Sequence, residues 1–150
     1  MSRKGFTLVE ILIVVIILGI LAAIVIPQFT QASDDARTSA LASDLQTVRS
    51  AVELYKVQHL ERLPGKDYTA GGAGVDEEVV DQLTSKTDLN GKVDAAGTLG
   101  PYLQKFPTNP FVATGGNEID YTASGGGTKG WYFNRTTGAF NPDDDNHSSL

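Results

Sequence analysis

Residues 6–26 form an apolar run of 21 residues in which only Thr7, Glu10 and Gly19 interrupt aliphatic or aromatic side chains. At about 1.5 Å per residue a helix of that length reaches roughly 30 Å, the thickness of a bilayer's hydrocarbon core. Beyond Pro27 the apolar positions thin to one stripe. Leu41, Leu45, Val48, Val52 and Tyr55 recur at intervals of four, three, four and three, with Asp34, Asp35, Arg37, Asp44, Arg49, Glu53 and Lys56 on the other faces. That period predicts an amphipathic helix. Read as continuous with the first segment, it gives one helix from Phe6 to about His59, stopped by Leu63-Pro64-Gly65. Pro27 lacks the N–H that would reach Ala23, and Gly19 is about 1 kcal/mol worse than alanine in a helix interior, so both are candidate sites of kinking or melting.

After the helix the pattern breaks into short pieces. Residues 68–74 are glycine-rich and loop-like. Asp76 is placed to cap a short helix, Val75 to pack on Val80 across the cap, and Val79, Val80 and Leu83 to dock it. Residues 84–97 read as loop, and prolines alternate with large apolar groups through residues 99–103 and 106–111, a stiffened loop pinned to a core. Alternation predicts strands at 118–123, 130–134 and 139–140, with a glycine-rich link at 125–129. One sheet face and one helix stripe can bury each other, so the predicted fold class is α+β: a long N-terminal α-helix, its first half membrane-spanning, packed against a small antiparallel β-sheet. The tail, residues 141–150, is expected to fray.

Charge refines this picture. The chain carries a formal charge of −6; setting aside Arg3, Lys4 and Glu10 leaves ten basic and seventeen acidic residues for the remainder, a surface that disfavours nucleic acid. Arg3 and Lys4 precede the apolar run, which by the positive-inside rule keeps the N-terminus cytoplasmic and sends the C-terminal part across. A cleaved secretory signal is the competing reading, but its apolar region is about 7–15 residues with a small-x-small site after it; this run is longer and ends in Ile-Val-Ile-Pro. A carboxylate within a span costs about 2.5–3.5 kcal/mol at the centre and less near an end, which makes Glu10 a functional candidate. There is no cysteine, and His59 and His147 are the only histidines, so no compact zinc cluster is available. Neither a nucleophile elbow nor a phosphate-binding loop is present, and no catalytic residues are assigned.

The run Gly5-Phe6-Thr7-Leu8-Val9-Glu10, the apolar segment behind it and Pro27 together resemble the class III leader and N-terminal helix of type IV pilins and type II secretion pseudopilins. The resemblance implies cleavage between Gly5 and Phe6 by prepilin peptidase, methylation of the new Phe6 amine, and single-pass residence in the bacterial inner membrane with a periplasmic C-terminal domain. It also implies extraction from lipid into a helical homopolymer, with the inner-membrane assembly platform and minor pseudopilins as partners. The chain then divides into a leader (1–5), a transmembrane and filament-core helix (6–27) and a periplasmic domain (28–150), itself an amphipathic helix (28–60) followed by a loop and sheet region (61–150). Glu10, four residues after Phe6, becomes an assembly residue whose carboxylate neutralises the Phe6 amine, within one helix or, as the family implies, between subunits. An unpaired charge in a dry filament core costs several kcal/mol, so the pairing sets the register.

Gly100-Pro101-Tyr102-Leu103, Pro107, Asn109-Pro110-Phe111, the tryptophan-bearing strand and the lack of cysteine are most similar to the major pseudopilin of type II secretion. The implied role is a non-enzymatic subunit of a periplasmic pseudopilus that drives protein export across the outer membrane. A type IV pilus subunit serving adhesion, motility or DNA uptake is the alternative, and a membrane-tethered binding domain that never polymerises is the second. The resemblance also implies calcium in the last loop, yet the family's aspartate, serine and glycine series is not recognisable in residues 121–140. Asp120, Asp143, Asp144 and Asp145 are the candidate oxygen donors, with Asp88, Asn90 and Asp94 a second set. Neither has EF-hand spacing, so solvated carboxylates and no cofactor are expected.

Overall fold

The computed structural model describes residues 5–150, so the leader's first four residues, including Arg3 and Lys4, lie outside the described residues. Helix α1 spans Leu8–Gln58, and the chain divides into two compact units, Met1–Ser39 and Ala40–Leu150. In the first unit α1 is helical through both Gly19 and Pro27, and residues 5–37 are exposed on every side. By length and composition this is the one helix among the described residues able to cross a membrane.

The second unit is built on the stripe. Leu41, Leu45, Val48, Ala51, Val52 and Tyr55 are buried, as the three-four spacing requires. They meet Val79 and Leu83 of α2 (Val79–Thr84), Leu103 and Phe106 of the proline-stiffened loop, and Ile119, Trp131, Phe133 and Phe140 of the sheet. Strands β1 (Lys66–Asp67) and β2 (Val75–Asp76) form an antiparallel pair. Strands β3 (Ile119–Asp120), β4 (Trp131–Phe133) and β5 (Phe140–Pro142) form the main sheet in that order. Trp131 and Phe133 point inward and Tyr132 outward, and the Trp131 ring stacks on Phe140 at 5.0 Å. Arg49 crosses from α1 to β5, donating to the Phe140 carbonyl at 3.0 Å and to Asn141 Oδ1 at 2.8 Å.

The α+β class holds, while several local expectations are corrected. β4 and β5 pair antiparallel, but β3 and β4 are parallel. The ten residues between Asp120 and Trp131 are too many for a tight hairpin, and they return the chain in the same direction by a connection slightly shorter than the dozen or so residues such crossovers ordinarily take. Asp76 lies in β2 and Val75 is 63% exposed, so neither caps nor staples α2; Glu78 takes the N-cap position without a side-chain bond. Instead Tyr121 accepts a hydrogen bond from Val79 N and donates to Glu78. Residues 141–150 do not fray as expected, since Asp143 and Asp144 are buried.

α1 ends on a buried histidine. His59 stacks on Tyr55 at 3.7 Å, donates Nδ1–H to the Tyr55 carbonyl and accepts from the Thr87 hydroxyl at Nε2. Leu60 and Glu61 then take left-handed backbone angles, and Glu61 N closes the turn on the Lys56 carbonyl at 2.9 Å. Burial pushes the His59 imidazole below its ordinary range, an effect that the Tyr55 hydrogen bond and nearby Asp88 only partly oppose. The unfolded chain therefore binds the proton more readily, so stability is full above about pH 6.5 and falls as pH drops below it. Thermal melts between pH 7.5 and pH 5 should show a falling midpoint, and His59→Gln, which keeps a donor and an acceptor, should flatten that slope. Equal slopes for both proteins would show that His59 does not carry the effect.

Candidate assembly site at the helix N-terminus

α1 starts at Leu8, which makes Thr7 the residue before the first helical position. The Thr7 hydroxyl accepts from Glu10 N at 3.2 Å, and Glu10 Oε2 accepts from Thr7 N at 2.8 Å and from the Thr7 hydroxyl at 2.7 Å. This reciprocal arrangement is a capping box. It satisfies two of the backbone N–H groups that a helix start leaves free, groups that cost several kcal/mol each in hydrocarbon. Glu10 therefore has partners within its own chain, and Thr7, an interruption of the apolar run by hydropathy, is the residue that caps the helix. The signal was present in the Thr-x-x-Glu spacing.

The other N-terminal residues are arranged for access. Phe6 is 83% exposed, and nothing lies within 4 Å of where a side chain on Gly5 would project. With Gly5 attached, the Phe6 nitrogen is an amide and carries no charge for Glu10 to neutralise. Gly19 also faces open space, and around Glu10 every side chain from Leu8 to Val15 is exposed, so α1 presents an apolar surface all round with one carboxylate at its start.

The four candidate calcium donors do not converge. Asp120 pairs with Tyr132, which in turn pairs with Asn141, whereas Asp143 lies past Pro142, opposite Gly130. Asp120 Oδ1 accepts from Thr122 N and the Thr122 hydroxyl, both at 2.6 Å, and these bonds hold its carboxyl below the usual range. Asp143 Oδ1 and both Asp144 oxygens accept N–H donors of the protein, and Asp145 is exposed. One oxygen, the buried Asp143 Oδ2, has no hydrogen-bond partner among the described residues. Calcium takes six to eight oxygens; among the described residues no three acidic or histidine side chains come together, so these residues do not fit it. Asp88 and Asp94 are likewise spent on their own turns, accepting from Asn90 N and Ala96 N.

Residues 1–26 match the family described as "Prokaryotic N-terminal methylation motif". The chain is 33% identical to type II secretion system core protein G of Pseudomonas aeruginosa over 129 residues, covering 86% of this chain and 78% of that protein. It is 29% identical to the protein of the same name from Vibrio cholerae over 124 residues, 83% of this chain and 73% of that one. A shorter match, 43% over 58 residues, covers 39% of this chain and 50% of the type IV narrow pilus major component PilA5 of Thermus thermophilus. No solved structure matches. Near-full-length similarity joins the motif, the apolar helix and the α+β unit behind it, and the chain belongs to the type II secretion system core protein G family, the major pseudopilins.

Proposed function

We propose that this chain is the structural subunit of a type II secretion pseudopilus, held in the inner membrane by residues 6–27 and polymerising through them. The observation that carries the reading is α1's first half, apolar and exposed on every side with Glu10 as its only charge. A span of that kind is stable in lipid or among copies of itself. Prepilin peptidase cuts between Gly5 and Phe6, which the open geometry at both residues favours, and the freed Phe6 amine is methylated. Glu10 then exchanges its Thr7 partner for the amine of a neighbouring subunit. Gly19 and Pro27 are the points where the helix loosens as it leaves lipid. The assembly platform and minor pseudopilins act on the growing base, residues 28–150 lie in the periplasm, and the chain itself performs no catalysis.

The relation to PilA5 favours one further reading, a type IV pilus subunit. Deleting the gene and assaying exported proteins separates the two. Accumulation of exported proteins in the periplasm, with surface filaments when the chain is overproduced, is the expected result. Intact export with loss of adhesion or motility would move the assignment to a pilus. No filaments and no crosslinks between N-terminal helices would leave only a tethered domain.

A further inference from the structure

We infer that the C-terminal turn of this chain is fastened by the protein's own N–H donors, through the carboxylates of Asp143 and Asp144, in place of a bound cation. Asp143 holds both ends of the glycine link: its Oδ1 accepts from Gly125 N at 2.8 Å and Gly126 N at 3.0 Å, its carbonyl from Gly127 N at 2.7 Å, and its N–H donates to the Gly130 carbonyl at 3.1 Å. Asp144 holds a second loop. Its Oδ2 accepts from Asn109 Nδ2 at 3.0 Å, and its Oδ1 from the N–H groups of Asn146 and His147 and from the His147 ring.

Asn109 completes the knot. The same Nδ2 donates to the Gly130 carbonyl at 2.9 Å, Oδ1 accepts from Phe111 N, and Asn109 N donates to the Gly116 carbonyl. The Phe111 ring stacks on His147 at 4.2 Å. Three segments that share no strand, residues 109–111, 125–130 and 143–147, are thus joined through two buried carboxylates.

A cation bridging these segments would need the same lone pairs. Three of the four buried carboxylate oxygens already face N–H groups, and Asp143 Oδ1 and Asp144 Oδ1 each face at least two, which fills both lone-pair directions an ion could use. The fourth, Asp143 Oδ2, is the one carboxylate oxygen left free, and among the described residues no group of three acidic or histidine side chains gathers to supply the charged ligands of a calcium site. Burial alone would push the Asp144 carboxyl up, but the Asn109 and His147 hydrogen bonds outweigh it and hold the group below its ordinary range. The carboxylate is charged and already neutralised by donors, which is the work a calcium ion would otherwise do.

The inference is independent of filament formation and is tested on the full-length chain in detergent micelles, with the sole tryptophan, Trp131, as reporter. Thermal midpoints should be the same in millimolar calcium and in chelator. Asp144→Asn and Asn109→Leu should each lower the midpoint by about 4–8 °C in both buffers. His147→Ala, at a partly exposed position, should do so by less and serves if the stronger variants do not fold. A wild-type midpoint that rises with calcium, a rise abolished in Asp143→Asn, or variants that melt like the wild type would each overturn it.

Discussion

Glu10→Gln is expected to leave the chain inserted in the membrane while reducing filament yield by about 100-fold or more. Glutamine retains the acceptor that faces Thr7 N and the Thr7 hydroxyl, so the helix start remains capped. What it removes is the charge. If the amine of a neighbouring Phe6 must then be buried without a counter-ion, the cost is about 3–5 kcal/mol, and each 1.4 kcal/mol is about a tenfold change in association. Insertion should not suffer, because a carboxylate in a span is itself unfavourable.

Thr7→Val separates the two services of Glu10. It keeps the carboxylate and deletes the side chain that completes the box, a loss of about 1 kcal/mol in helix stability. Most assembly should survive. The measurement is the sheared filament fraction by immunoblot, normalised to membrane-inserted precursor. Wild-type assembly by Glu10→Gln, or a defect in Thr7→Val larger than that in Glu10→Gln, would assign Glu10 to capping and sink the charge-pairing mechanism.

The apolar pattern was a good guide wherever burial follows from local spacing. The stripe Leu41, Leu45, Val48, Val52 and Tyr55 is buried at every position, and α1 ends within two residues of the place its stop signal indicated. β4 was visible for the same reason, with Trp131 and Phe133 on one face of a short strand. The parts that escaped are polar residues buried by distant partners. Gln82 is fully buried because its amide bridges Gly65 N to the carbonyls of Lys66 and Gly91. Asn109 and Asp144 are buried because they satisfy one another and three separate loops. No window of neighbouring residues contains that information, so such groups are assigned to the surface by default. The parallel pairing of β3 with β4 escaped likewise, since strand direction depends on how the link is routed and not on strand composition.

At the N-terminus the limit was different. Thr7 and Glu10 are three residues apart, within reach of a local pattern, but a carboxylate in an apolar run fits a cap and a charge partner equally well. Both readings of Glu10 apply, in sequence: an internal partner before Gly5 is removed, and under the proposed mechanism an external one afterwards.

Gly130→Ala should be among the most damaging single changes in the second unit, lowering its melting midpoint by about 10–20 °C. A methyl group added at Gly130 would overlap the carbonyl of Gly116. Neither chain can retreat freely. Gly130 N donates to the Gly115 carbonyl at 3.0 Å, and its own carbonyl accepts from Asp143 N at 3.1 Å and Asn109 Nδ2 at 2.9 Å. On the other side the Gly116 carbonyl accepts from Asn109 N at 2.8 Å, and a side chain at Gly116 would itself meet Thr108 and the Asn109 carbonyl. Overpacking costs about 1–3 kcal/mol, and each buried hydrogen-bonding group left unsatisfied by the shift adds about 1–3 kcal/mol. The relevant control is Gly126→Ala, where the nearest atom to the added methyl is the Asp143 carboxylate at 3.7 Å, an ordinary contact; it should melt within a few degrees of the wild type. Equal midpoints for Gly130→Ala and Gly126→Ala would mean that the crossing of residues 116 and 130 yields without breaking its bonds. A selective loss at Gly130 would locate the unit's rigidity at this crossing, beside the carboxylates that hold the C-terminal turn.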